Sequence, residues 1–298
     1  MPMKDFSFWK EYEGASEGSG RSEKIWLMNP DTNQIGLFKF KKDETTSDHI
    51  SECIAYELAK LIGIPCAKFE LGIYKGREGS ISYNIVDQKD MVLIEGIYCI
   101  SLTYPAFDAE TLMDVETEEK YSIEMIKNVL EPLKLFNEFL PILIFDFLIG
   151  NTDRHQSNWA LLKEGNNLRI CPLYDNSSSL CSYIKPQKIK QYLGRDSVLW
   201  KSLVDTKSKS IIRIRGKDDK RPTHLEVLKF LKENYYTQTV EIVTQITKLV
   251  TEEKISNILN HYIDSLSQEK CELIKRYLLS KIQIMNDVYE EKEEKNVC

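Results

Sequence analysis

The sequence predicts an α+β chain of two lobes, a small β-rich N-lobe over residues 1–100 and a larger, mostly helical C-lobe over 101–298. Three observations predict it. Before residue 100 the apolar segments are short, alternating and separated by turn residues. After residue 120 they lengthen, take a helical period and are largely free of Gly and Pro. One polar, Gly-containing loop with a strand pair behind it, between residues 150 and 175, interrupts the helical half.

The elements follow in order. Residues 24–29 and 35–40 are apolar runs joined by Pro30-Asp31-Thr32-Asn33-Gln34, a turn composition that makes them a hairpin. Asp48 is placed as the N-cap of a helix running to about Leu61, with Gly63-Ile64-Pro65 as its stop. Strand-like segments are expected at 68–74, 79–86 and 91–100. Helices are expected at 121–131, 133–149, 224–235, 238–249, 252–266 and 268–290, and the only strands of the second half between 159 and 173.

Composition narrows the class. With 298 residues, 42% hydrophobic and 29% charged, 13 Gly and 9 Pro, disorder, collagen and coiled coil are excluded. The longest apolar run, Phe139 to Ile149, contains Asp146 and falls short of the ~20 residues a membrane span needs, so it reads as a buried core helix. The opening MPMKDFSFWKEYEG has no basic region followed by an apolar stretch, which places the protein in the cytoplasm with no membrane partner. Seven scattered cysteines without a C-x-x-C spacing support neither zinc nor thioredoxin-like chemistry and are expected to be idle thiols. Residues 183–221 carry 12 Lys and Arg against 4 Asp and Glu within a net charge of −6; a solvated, mobile loop is expected there rather than contact with nucleic acid. The tail Tyr289 to Cys298 is expected to be a frayed helix end.

The chemistry concentrates in Gly150-Asn151-Thr152-Asp153-Arg154-His155-Gln156-Ser157-Asn158, a polar loop directly behind the apolar helix. A hairpin formed by 159–163 and 168–173 reverses the chain, so Asn158 and Tyr174-Asp175 return to the same end and Asp153, Asn158 and Asp175 converge. Two carboxylates and an amide oxygen suit Mg²⁺, which takes few protein oxygens and shares phosphate oxygens with its substrate. Asp-x-x-x-x-Asn followed by a hairpin and a second Asp is also the spacing that kinases use, although here the order is Asp153-Arg154-His155 rather than His-Arg-Asp. Upstream, Gly14-Ala15-Ser16-Glu17-Gly18-Ser19-Gly20-Arg21-Ser22 is a loop whose backbone N–H groups could approach phosphates. Lys39 shares a strand face with Ile35 and Leu37, so it needs an anionic partner. Glu57, in the apolar arc of the following helix, and Glu52, on its small-residue side, are both candidates that periodicity leaves open.

The blocks Gly150-Asn151-Thr152-Asp153-Arg154-His155-x-x-Asn158 and Pro172-Leu173-Tyr174-Asp175-Asn176-x-Ser178-Ser179-Leu180, with Lys39 and the helix that opens on Ser51-Glu52, resemble the HipA-type serine/threonine kinase family. The resemblance implies a bilobal protein-kinase-like fold and an ATP- and Mg²⁺-dependent phosphotransferase acting on a Ser or Thr hydroxyl of a protein. It makes Asp153 the catalytic base, Asn158 and Asp175 the metal ligands, Lys39 the phosphate-contacting lysine and Glu52 its partner. Nucleotide contacts are expected from Gly14, Ala15, Ser16, Gly18, Ser19, Gly20 and His155, and from a hinge at Ser82 to Val86 with Tyr83 and Ile85 against adenine. Ser16, Ser19 or Ser22 is the expected autophosphorylation site. Longer members carry an extra N-terminal subdomain, whereas the Gly-rich loop here begins within the first 20 residues. That subdomain is thus expected to be missing or separately encoded, which counts against the toxin–antitoxin membership common in the family; the partner the resemblance implies is an antitoxin or the separate subdomain. Two rival readings are a small-molecule or lipid-headgroup kinase, which differs only in its acceptor cleft, and a pseudokinase or nucleotide-gated binding module, against which the intact Lys39, Asp153, Asn158 and Asp175 set argues.

Overall fold

The computed structural model describes residues 3–13, 23–86 and 90–290. Two short strands, β1 (Lys4–Asp5) and β2 (Lys10–Glu11), precede the expected hairpin of β3 (Lys24–Met28) and β4 (Ile35–Phe40). Helix α1 (Asp48–Leu61) follows, and then β5 (Phe69–Tyr74) and β6 (Arg77–Tyr83). The N-cap of α1 is Ser47 rather than Asp48, which forms the acidic first turn, and Gly63, with φ of 72°, ends the helix as expected. The six strands form one sheet in the order β1-β5-β6-β4-β3-β2.

The pleat gives this sheet two different faces. Cross-strand partners Phe38 and Ile81, and Gly36 and Tyr83, lie on an outer face. There Phe38, Ile81 and Tyr83 join Phe6, Trp9, Leu27 and Tyr74 in a core of their own. Lys39, paired with Ser80, and Leu37, paired with Ser82, look the other way, toward α1. That alternation puts a lysine on the inner face one residue from a fully buried Phe38.

The strand expected over 91–100 stops early. β7 (Met91–Glu95) gives way to helix α2 (Gly96–Thr103), because Gly96, Cys99 and Ile100 bury at helical spacing. β7 also leaves the N-lobe sheet. Next come an unanticipated two-stranded ribbon, β8 (Phe107–Asp108) and β9 (Met113–Asp114), and helices α3 (Ile123–Leu130) and α4 (Phe136–Ile149), the second carrying Pro141 inside it. The predicted hairpin is β10 (Ala160–Glu164) with β11 (Asn167–Ile170), and β7 pairs with β10 along its whole length.

The basic segment is structured rather than a loose loop. It contains α5 (Pro186–Leu193), α6 (Ser197–Lys201) and a π-helical turn over Ser202–Thr206, anchored by buried Ile189, Val204, Ile211 and Ile212. The two helices expected at 224–235 and 238–249 are one, α7 (His224–Leu249), opened by a capping box of Thr223 and Glu226 and kinked where Tyr235 leaves helical geometry. Helices α8 (Glu252–Asn260) and α9 (Gln268–Glu290) complete the chain. Helix α4 is buried along almost its whole length, and its residues share one core with α1, α3, α7, α8 and α9. Among the described residues the cysteines are free, and no helix is long and apolar enough to cross a membrane.

Candidate active site

The inner face of the sheet, α1, and the loops around β10 and β11 meet at Lys39. Its Nζ lies 3.2 Å from Asp175 Oδ2 and 3.4 Å from Glu52 Oε1. Glu52 is 1% exposed, and its second oxygen accepts the Asn176 main-chain N–H at 2.7 Å. The choice between Glu52 and Glu57 is thus made by tertiary packing. Nearly every residue on the first three turns of α1 is buried, so the helix has no clean polar face to read. Burial alone would lower the Lys39 ammonium, but the Asp175 and Glu52 carboxylates outweigh it and hold the group above its ordinary value. Glu52 moves the other way: burial pushes it up to about 7, with Lys39 opposing. Burial would raise Asp175 as well, yet Lys39 keeps it below the usual carboxylate range, so this carboxyl is ionised at neutral pH.

Asp153 and Asn158 stand on the loop after α4. Gly150 caps that helix with φ of 67°, and a β-carbon there would overlap the Tyr277 hydroxyl. From this fixed turn the loop folds back on itself. The Asn151 Oδ1 accepts the Asp153 main-chain N–H at 3.1 Å, and Asn158 Nδ2 donates to the Asp153 carbonyl at 2.7 Å. That bond commits the amide nitrogen of Asn158 and leaves its oxygen as the donor atom for a cation. Asp153 is half-buried; burial raises its pKa, and the nearby Asp175 charge adds to the effect. His155 is half-buried beside it, with Nδ1 accepting the Ser157 N–H at 3.2 Å.

Two features were not foreseen. Arg154, 1% exposed, sits at the centre of the site and donates outward in every direction. Its Nε and Nη2 reach the two Asp146 oxygens at 3.1 and 2.8 Å, and Nη2 also reaches Asn176 Oδ1 at 2.6 Å. Its Nη1 donates to the carbonyls of Asn158 at 2.9 Å and Tyr174 at 2.8 Å. One planar guanidinium thereby sets α4, the Asp153 loop and the Asp175 loop relative to each other. The signal was a lone Asp146 in an apolar run, eight residues before an arginine.

The second is a buried polar chain behind the loop. His224 Nε2 lies 2.8 Å from the Asn151 carbonyl, an acceptor only, so this nitrogen carries the proton and donates. Nδ1 then accepts from the Ser208 hydroxyl at 2.9 Å, and Ser208 Oγ accepts from Lys281 Nζ at 3.0 Å. Burial and the Lys281 charge hold His224 far below its ordinary value, at about 3, so the ring is neutral.

Of the remaining expectations, Ile85 packs with both the main core and the small cluster of Ala160, Leu162 and Cys171 at the lobe junction. Tyr83 does not face the cleft. Its hydroxyl donates to Glu70 and its ring meets Trp9 at 6.1 Å on the outer sheet face, because the β6 pleat turns it away from Ser82. Gly14, Ala15, Ser16, Gly18, Ser19, Gly20 and Ser22 lie outside the described residues. Among the described residues no group of three or more His, Cys, Asp or Glu could hold a metal ion unaided. An ionised Asp175 and one amide oxygen fit Mg²⁺ only as a partial shell, the kind that phosphate oxygens and water complete.

Comparison with known proteins bears on the family and the fold. Serine/threonine-protein kinase CtkA of Helicobacter pylori strain J99 is 27% identical over 199 residues, an alignment covering 60% of this chain and 57% of that relative. The crystal structure of the Helicobacter pylori proinflammatory kinase CtkA superposes with a TM-score of 0.79 at 19% identity, covering 97% of this chain and 99% of that one. HipA of Shewanella oneidensis MR-1, solved with HipB and operator DNA, gives a TM-score of 0.60 at 13% identity, over 97% of this chain and 70% of that one. The family profile of the HipA-like C-terminal domain matches residues 16–210, which spans Lys39, Glu52, Asp153, Asn158 and Asp175 alike, and the chain belongs to that family, on a bilobal kinase-like fold.

Proposed function

We propose that the protein transfers the γ-phosphoryl group of ATP to a Ser or Thr hydroxyl of a protein acceptor. The observation that carries this reading is the ion cluster of Lys39 with Glu52 and Asp175, set against a loop that presents Asp153 and Asn158. Lys39, charged and held in place by Glu52, would neutralise phosphate oxygens. Asp175 and the Asn158 amide oxygen would hold Mg²⁺, whose charge screens the phosphates during transfer. Asp153 would accept the hydrogen bond of the acceptor hydroxyl and take its proton as the new P–O bond forms; its raised pKa suits that task.

The likeness to HipA, which was solved in complex with HipB, supports a restraining protein partner as part of the same reading. Autophosphorylation at Ser16, Ser19 or Ser22 belongs to it too, since a phosphate there would repel the nucleotide's own. The test is intact-mass and peptide mass spectrometry of the purified protein after incubation with Mg-ATP and candidate acceptor proteins. Phosphate on a serine or threonine, absent without Mg²⁺, supports the proposal; ATP bound without transfer to any protein hydroxyl would favour the small-molecule reading or the non-catalytic one.

A further inference from the structure

Residues 207–221 hold seven Lys and Arg against two Asp, and the fold makes them the rim of the loop that carries Asp153. Three sets of bonds fix this placement. His224 donates to the Asn151 carbonyl of that loop at 2.8 Å. The Ser210 N–H donates to the Pro222 carbonyl at 3.0 Å, next to an antiparallel bridge between Lys209 and Thr223, so 208–213 and 221–224 run side by side. The Arg213 N–H donates to the Tyr121 carbonyl at 3.1 Å, and the Tyr121 hydroxyl donates to the Arg154 carbonyl at 3.2 Å.

Two arginines in this rim form no ion pair with a described residue. Arg213 is half-buried, and its Nε is enclosed with no hydrogen-bond partner. Arg221 is exposed on the adjoining stretch, close enough for its charge to act on both Arg213 and Asp153. Burial first, and the Arg221 charge second, hold Arg213 below its ordinary value. The nearby acids act on Arg213 only through space, raising it, while their direct contacts lie elsewhere: Asp219 pairs with Lys120 at 2.6 Å and Asp218 accepts the Arg215 N–H at 2.9 Å. Two neighbouring guanidinium groups of like charge, neither in an ion pair, are an arrangement that an incoming anion relieves.

Resting on the kinase reading of the site, we propose that this rim binds an acidic stretch of the acceptor protein, with Arg213 and Arg221 engaging carboxylates beside the hydroxyl presented to Asp153. A short acidic peptide fits better than a nucleic acid. The basic rim is local, the rest of the chain is strongly negative, and a polyanion requires an extended positive face.

The experiment measures binding and transfer separately. Fluorescein-labelled serine peptides with flanking Asp and Glu, flanking Ala, or flanking Lys are titrated against the full chain by anisotropy without ATP, then used as substrates with Mg-ATP. The acidic peptide should bind most tightly, and Arg213→Gln with Arg221→Gln should weaken it about tenfold while leaving the alanine peptide unaffected. In turnover the same pair of changes should raise KM for the acidic peptide but not for the alanine peptide, and leave ATP affinity as it was. Arg221→Glu should move the preference toward the lysine peptide, which a merely misfolded variant would not do. Equal affinity for the three peptides, or binding indifferent to both arginines, overturns the proposal, as does an oligonucleotide that binds more tightly through the same two residues. Arginine-dependent peptide binding without any transfer would uphold the docking surface and count against the kinase reading instead.

Discussion

Lys281→Met should make this protein more stable at neutral pH, although it deletes a hydrogen bond. Lys281 is 0% exposed on α9; its Nζ donates to Ser208 and lies 4.5 Å from the centroid of the Phe147 ring and 5.3 Å from that of Tyr277. No carboxylate among the described residues lies within ion-pair distance of it. Burial therefore drives the amine from 10.5 down to about 7. The folded state prefers the neutral amine, while the unfolded chain keeps its proton up to about 10.5. Between those values the unfolded state binds more protons, so stability falls as pH is lowered toward 7. The separation corresponds to on the order of 4 kcal/mol. Methionine keeps the volume and removes this linkage, at a cost of about 1 kcal/mol for the bond to Ser208. Urea denaturation should find the variant more stable by roughly 2–3 kcal/mol near pH 7, with the advantage gone by about pH 10. Subtracting the two curves removes the tyrosine and cysteine contributions common to both proteins. A variant with the wild-type pH slope, or one destabilised at pH 7, would refute the reasoning.

Asp153→Asn should abolish phosphoryl transfer while Mg-ATP affinity, measured by calorimetry, changes little. Asp175→Ala should weaken Mg-dependent nucleotide binding more than Asn158→Ala, since an ionised ligand to a hard cation is lost in one case and a neutral amide in the other; equal effects in the same titration would contradict the metal assignment. Arg154→Met, which leaves Asp146 buried and unpaired, should cost about 3–5 kcal/mol of folding free energy by chemical denaturation. Tyr83→Phe should leave nucleotide affinity unchanged, because the hydroxyl bonds Glu70 on the far side of the sheet.

What could be read from the chain was whatever depends on local order. The hairpin of β10 and β11 is a local structure, and its reversal alone brings Asn158 back to Asp175. The inward face of Lys39 follows from strand alternation. Choosing between Glu52 and Glu57 by residue pattern was another matter. It turns on the Asn176 N–H, more than a hundred residues away, and α1 is buried too evenly to show its orientation. The Lys281–Ser208–His224 chain was hidden because it joins segments distant in sequence, whereas the Arg154 cluster is nearer and its one local signal was the lone Asp146. Tyr83 was misplaced by one step of pleat, which is all it takes to send a side chain to the opposite face. The strand end at Glu95 was missed because the apolar run continues past it, with Gly96, Cys99 and Ile100 burying at helical spacing, and the basic segment because its buried anchors, Ile189, Val204, Ile211 and Ile212, are few among many charges.

Helix α1 is fastened to the helical lobe along its whole length. The Ser47 N–H donates to the Ser182 carbonyl at its start, Glu52 receives the Asn176 N–H on its second turn, and just beyond its end the Ala67 N–H donates to the Leu173 carbonyl and the Leu173 N–H to the Pro65 carbonyl, across a bridge at Cys66. Its apolar residues also belong to the core of that lobe. The helix is thus a wall of the cleft that belongs to the helical lobe, joined to the sheet through Lys39–Glu52 and His49–Glu78. Drawing the sheet away from this helix would part Lys39 from Glu52, 3.4 Å apart as they stand. A device that disarms the site by swinging this helix outward would first have to break bonds at three separate heights.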